Sequence, residues 1–80
     1  MGKFELWARG CAETGTELWT LEQITPGTGL YMTKRPYMMN HREWWESPVY
    51  HIWINGETWE TTMNVHEAYR MWERRKGSAA

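Results

Sequence analysis

Val49-Tyr50-His51-Ile52-Trp53-Ile54-Asn55-Gly56-Glu57-Thr58-Trp59-Glu60-Thr61-Thr62-Met63 is the stretch that decides the fold. The run from Val49 to Ile54 is rich in β-branched and aromatic strand formers. Asn55-Gly56 is the strongest short hairpin signal, because a tight turn of this type needs positive φ at both central positions. A two-residue turn pairs Ile54 with Glu57, Ile52 with Trp59, His51 with Glu60 and Tyr50 with Thr61, and paired residues share a face. Tyr50, Ile52, Ile54, Trp59 and Met63 then form the core face. Val49, His51, Trp53, Thr58, Glu60 and Thr62 form a mostly polar face around Trp53.

Immediately downstream, Asn64 is a good helix N-cap, with Glu67 three residues on. The spacing predicts a helix over 65–76. Val65, Ala68, Tyr69 and Trp72 form its apolar stripe. Arg74, Arg75 and Lys76 complement its C-terminal dipole, and Gly77 ends it. The stripe is expected to pack on the core face of the hairpin.

Upstream the signals weaken. Phe4, Leu6 and Ala8 alternate with Lys3, Glu5, Trp7 and Arg9, the period of a half-buried strand. Gly10 to Gly15 reads as a turn and Glu17-Leu18-Trp19 as a second strand. Thr20 and Gln23 suggest a short capped helical turn, stopped by Pro26-Gly27-Thr28-Gly29. Leu30-Tyr31-Met32-Thr33 reads as a third short strand. Over 36–46, Tyr37, His41, Trp44 and Trp45 sit at helical spacing after Pro36, which predicts a short helix or structured loop. The fold class is therefore α+β: a small antiparallel sheet, made of the hairpin 49–63 and N-terminal strands, packed against the C-terminal helix. Residues 1–76 form one domain, and 77–80 read as a disordered tail or a cloning scar.

Eighty residues give a thin core. Cys11 is the only cysteine, so an internal disulfide is excluded. The chain carries seven Trp, four Tyr and six Met, and each buried aromatic removes roughly 150–250 Å² from water. Lys plus Arg total 9 against 10 Asp plus Glu, a net charge of −1. This balance favours neither a general nucleic-acid binder, which is basic, nor a strongly acidic DNA mimic. No secretion signal or membrane-spanning run of about 20 apolar residues is present, so no membrane partner and a cytoplasmic location are expected.

Catalytic patterns are missing too. His41, His51 and His66 lack zinc-motif spacing, and His51 with Glu60 and the start of the last helix reads as polar surface, so no metal and no cofactor are predicted. Nothing in the sequence brings a base to Cys11. Glu43 and Glu46, or Glu57 and Glu60, lack the apolar setting that splits a carboxylate pair into acid and base. Pro26-Gly27-Thr28-Gly29 lacks the Lys-Ser/Thr ending of a phosphate loop. No enzyme is predicted.

What stands out is the aromatic content. Trp7 and Trp53 fall on the polar faces of their strands, and adjacent Trp44 and Trp45 diverge in any regular element. Either these rings form a second cluster on the far face of the sheet, or they form a binding patch. The leading expectation is a protein-binding module, with a homodimer as one form of it, acting through Tyr37, Met38, Met39, Trp44, Trp45 and Trp53. Small stand-alone proteins of this size are common products of phages and other mobile elements, acting as inhibitors or accessory factors. The alternative is single-stranded nucleic-acid binding through Lys34, Arg35, Tyr37, Arg42 and Trp44, where bases stack on rings and cations follow phosphates. Sugar binding by Trp faces ranks last.

Overall fold

The computed structural model describes residues 2–77, apart from the side chain of Met38. Ser78, Ala79 and Ala80, the rest of the expected tail, lie outside the described residues. The elements are α1 (Lys3–Glu13), β1 (Glu17–Thr25), β2 (Thr28–Lys34), β3 (Pro36–Met39), β4 (Arg42–Trp45), β5 (Val49–Ile54), β6 (Glu57–Thr62) and α2 (Val65–Lys76). Strands β1-β2-β5-β6 form one antiparallel sheet in that order, and β3 and β4 form a separate two-stranded ribbon. The α+β class holds.

The sheet is covered on both faces, which alternation along its two central strands makes explicit. Leu30, Ile52 and Ile54 point to one face and join Ala68, Met71 and Trp72 of α2 in the main core, with Leu21 and Tyr50 packed at its margin. Tyr31, His51 and Trp53 point to the other face, where α1 lies. Phe4 meets Tyr31 and Trp53 at ring-centroid distances of 4.9 and 5.3 Å, and Trp7 meets Trp53 and His51 at 5.1 and 5.0 Å. Such tilted and edge-on contacts suit the aromatic quadrupole. A second aromatic cluster therefore exists, with Trp7 and Trp53 in it and Trp53 only 5% exposed, but α1 and not the 36–46 segment covers it, and Trp44 and Trp45 stay outside.

The first segment is a helix, not the expected strand. Phe4, Trp7, Ala8 and Cys11 follow the i, i+3, i+4, i+7 period, and this stripe overrides the shorter charged–apolar alternation. Leu6, expected inside, is 55% exposed. Between Thr20 and Thr25 the chain stays in β1 instead of forming a helical turn. Register shifts at Thr20/Glu22 and Gln23/Thr25 mark two bulges. Only a few residues separate Thr20 from the Pro26-Gly27 turn, too few to repay helix nucleation. The bulges also bend the outer strand, which hinders edge-to-edge pairing.

The Asn55-Gly56 turn forms with φ of 50° and 78°, and Ile54 faces Glu57 as expected. Beyond Trp53↔Thr58 the register shifts by one residue, so Ile52 faces Glu60 and His51 faces Thr61. Trp59 is the bulged residue. It is left out of the core, 52% exposed, at the α2 side of the sheet, where it lies against Arg75, whose guanidinium carbon is 4.8 Å from the indole centroid. Glu60 takes the position facing α2 and accepts from Arg75 at 2.8 Å. Met63 is exposed at 65%.

Helix α2 starts as predicted: Asn64 Oδ1 accepts from the Glu67 backbone N–H at 3.0 Å. Its buried stripe is Ala68, Met71 and Trp72, so the apolar face is rotated from the expected one and leaves Val65 and Tyr69 at the surface. Gly77 ends the helix with φ −65°, without using the left-handed conformation.

At the far end of the sheet the two hairpin turns are tied together. Gly56 N–H donates to Gly27 C=O at 2.9 Å, and Asn55 N–H donates to Thr28 Oγ1 at 2.9 Å. The Tyr31 hydroxyl donates to Gln23 Oε1 at 2.6 Å and accepts from Gly27 N–H at 3.3 Å. That lattice fixes β2 against β5, the pair from which the ribbon springs at the opposite end.

Candidate functional site

The segment expected as a helix or loop is a β-hairpin arm. Asn40 and His41 both have positive φ, 54° and 61°, the requirement of the two-residue turns that match strand twist. Asparagine tolerates that conformation locally. Around it, Met39 pairs with Arg42, Met38 with Glu43, Tyr37 with Trp44 and Pro36 with Trp45. Helical spacing of the aromatics loses to this turn because no helix face would be covered: β3 and β4 pack on each other and barely on the body. Pro36, which has no N–H to give, begins the ribbon at its edge. The base is closed by Glu46 N–H donating to Arg35 C=O at 2.9 Å, and Ser47-Pro48 breaks the ribbon from β5.

Register and alternation place Tyr37, Met39, Arg42 and Trp44 on one face of the arm, and Pro36, Glu43 and Trp45 on the other. Tyr37, Met39, Trp44 and Trp45 are each 41–49% exposed. At the elbow between arm and body an open depression of about 570 Å³ is lined by Tyr37, Trp45, Glu46, Ser47, Val49 and Met63. Apolar residues of the arm and the body thus share one concave surface.

Among the described residues ion pairing is confined to the body, where Arg9, Arg74, Glu5, Glu13, Glu17 and Glu22 also stand outside it. Lys3, Arg70, Arg75 and Lys76 are in ion pairs with Glu57, Glu67, Glu60 and Glu73. Among the described residues Lys34, Arg35 and Arg42 of the arm and its root have no such partner, and neither do Glu43 and Glu46.

The structure thus gathers Tyr37, Met39, Trp44, Trp45, Lys34, Arg35 and Arg42 along one projection, with Met38 placed opposite Glu43 by its backbone. It removes Trp53, which is sealed beneath α1. A two-residue turn at Asn40-His41 between Tyr37 and Trp44 was the signal in the sequence that could have revealed the hairpin.

A second place collects chemistry-bearing groups that the sequence leaves apart. Trp7, Cys11, Thr33, Arg35 and His51 line an open depression of about 330 Å³ beside α1. Burial pushes the Cys11 thiol up from its ordinary value and pushes His51 down. His51 Nε2 lies 2.7 Å from Thr33 Oγ1. At neutral pH this gives a protonated thiol and a neutral imidazole, the opposite of an activated cysteine. Elsewhere the expected His51–Glu60 neighbourhood is undone by the bulge, which turns Glu60 to the α2 face and leaves His51 under α1. Among the described residues no three His, Cys, Asp or Glu side chains gather as a metal site, and no helix is long and apolar enough to cross a membrane.

No protein family, curated protein or solved structure matches the chain.

Proposed function

We propose that this chain is a non-enzymatic protein-binding module whose β3–β4 arm is the contact element. One observation carries the reading: four large apolar side chains, Tyr37, Met39, Trp44 and Trp45, lie 41–49% exposed on a projection that contributes nothing to either core. Leaving such rings in water is unfavourable, at about 25 cal/mol per Å² of apolar surface, so their placement is better explained by a surface that covers them. Aromatic side chains and arginine also dominate binding hot spots. Action as an inhibitor or accessory factor, of the kind mobile elements encode, is the finer form of this reading and rests on the chain's size and its lack of catalytic groups.

A second reading has its own support. Arg42 shares a face with Tyr37 and Trp44, and Lys34 and Arg35 at the root carry no ion-pair partner, a combination suited to single-stranded nucleic acid. Glu43 and Glu46 on the same arm repel phosphate and weaken it.

The test is a paired capture from nuclease-treated lysate of the source cell or its host, using the natural chain and Trp44→Ser/Trp45→Ser side by side. A stoichiometric protein held by the first and lost by the second supports the reading. Finding no arm-dependent protein, a second copy of this chain included, overturns it. Material held only without nuclease moves the arm to nucleic acid.

A further inference from the structure

We infer that the arm's partner is a second copy of this chain, docked through a two-fold arrangement in which the tip of each arm enters the elbow of the other. This rests on the protein-binding reading and names its occupant. A two-fold interface must be self-complementary, with residue i meeting j and j meeting i. The arm has that property. Its tip presents Met39, 49% exposed, beside the unpaired Arg42. Its base presents the elbow depression, with apolar walls of Tyr37, Trp45, Val49 and Met63 and the unpaired Glu46 at the same place. Tyr37, on the tip's face of the ribbon, also lines the depression. The strands between tip and base span about 13 Å, so two arms laid antiparallel bring each tip to the partner's base. Met39 then fills the hollow, Arg42 meets Glu46 of the partner subunit, and the Tyr37 and Trp44 rings meet near the axis.

The area is of the right order. The exposed parts of Tyr37, Met39, Trp44, Trp45 and Met63 amount to roughly 500–600 Å² per protomer, against about 800 Å² per partner in a standard interface, and the flanking polar groups supply the rest. An 80-residue chain with no internal disulfide belongs to the size range in which oligomerisation commonly supplements a small core. The acids decide against nucleic acid here. Glu46 repels a phosphate backbone, whereas in the paired arms it finds Arg42.

Sedimentation equilibrium of the full chain, from low to high micromolar protein, tests the inference. The natural chain should reach a dimer. Met39→Asp should abolish association while far-UV circular dichroism stays unchanged and melting matches that of the natural chain diluted to monomer. Arg42→Glu and Glu46→Arg should each weaken association by about tenfold or more, and Arg42→Glu/Glu46→Arg in one chain should recover most of it, because the swapped pair forms twice across the axis. A natural chain that stays monomeric overturns the inference, as does a dimer unmoved by Met39→Asp or not rescued by the swap. Binding of an oligothymidylate by the monomer, lost in Arg42→Glu, would overturn it in favour of nucleic acid. A monomer that still captures an arm-dependent protein refutes the second copy alone. A monomer that captures none refutes the protein-binding reading with it.

Discussion

His51 shows how one side chain joins the sheet's second face to a measurable response. It sits under Trp7 with its ring nitrogen on Thr33, and burial holds its pKa below the ordinary 6.5. Between those two values the unfolded chain binds a proton that the native chain resists. Its contribution to stability is therefore complete above pH 6.5 and is lost progressively as pH falls below it, until the native imidazole itself is charged. Melting temperature should decline on acidification through this window, and His51→Gln should flatten that part of the profile. Equal profiles for the two proteins would show that carboxylates set the acid limb. Gly29 marks a different constraint. A methyl group there runs into the backbone carbonyl of Glu22 and crowds the Tyr31 hydroxyl. Gly29→Ala should destabilise by about 1–3 kcal/mol, the range for overpacking where backbone must move, and urea melts would check it. An unaltered midpoint would mean that the β1 bulge beside it yields freely.

At the scale of elements, the sequence is most readable where local chemistry and tertiary demand agree. Asn55-Gly56 dictates a turn whatever surrounds it, and Asn64 caps α2 with a side chain already in place. It is least readable where two periods compete. Phe4, Leu6 and Ala8 fit a strand, while Phe4, Trp7, Ala8 and Cys11 fit a helix; the second wins because Tyr31 and Trp53 offer that face a complementary surface, and this is a fact about the fold that the segment itself does not contain. Trp59 is itself the bulged residue, and that one extra position reverses the sides of everything after it in β6. The arm was hidden by a turn residue of weak preference: a histidine at φ 61° occupies a position where glycine is at ease. That strain gives the element its own prediction. His41→Gly removes a left-handed penalty of about 1 kcal/mol, so amide exchange within Pro36–Trp45 should slow several-fold while rates in α2 stay the same. Faster exchange in the arm would mean that His41 makes a stabilising contact absent from this arrangement.

For the whole molecule the arm and the body are separable in energy although continuous in chain. The radius of gyration is 13.4 Å and the longest dimension 47 Å, against about 11.6 Å for a compact chain of this length; the excess is the projection. Both cores, the α2 face around Trp72 and the α1 face around Trp53, lie wholly outside 36–46. β2 and β5 are held together by their own ladder from Gly29↔Trp53 to Thr33↔Val49 and by the joined turns at the far end. Replacing residues 36–46 by Asn-Gly, so that Arg35 and Ser47 flank a tight turn, therefore should leave a folded protein. Shortening a loop changes closure entropy slowly, by roughly 0.6 kcal/mol per halving, so the stability of the shortened chain should stay within about 1–2 kcal/mol of the original. Its radius of gyration by X-ray scattering, measured as a monomer, should fall to about 11 Å. A chain that unfolds would show that the arm supports the sheet, and its exposed rings would then need a structural explanation. A chain that folds while losing every arm-dependent association separates the two roles: the body maintains the architecture, and the arm makes the contacts.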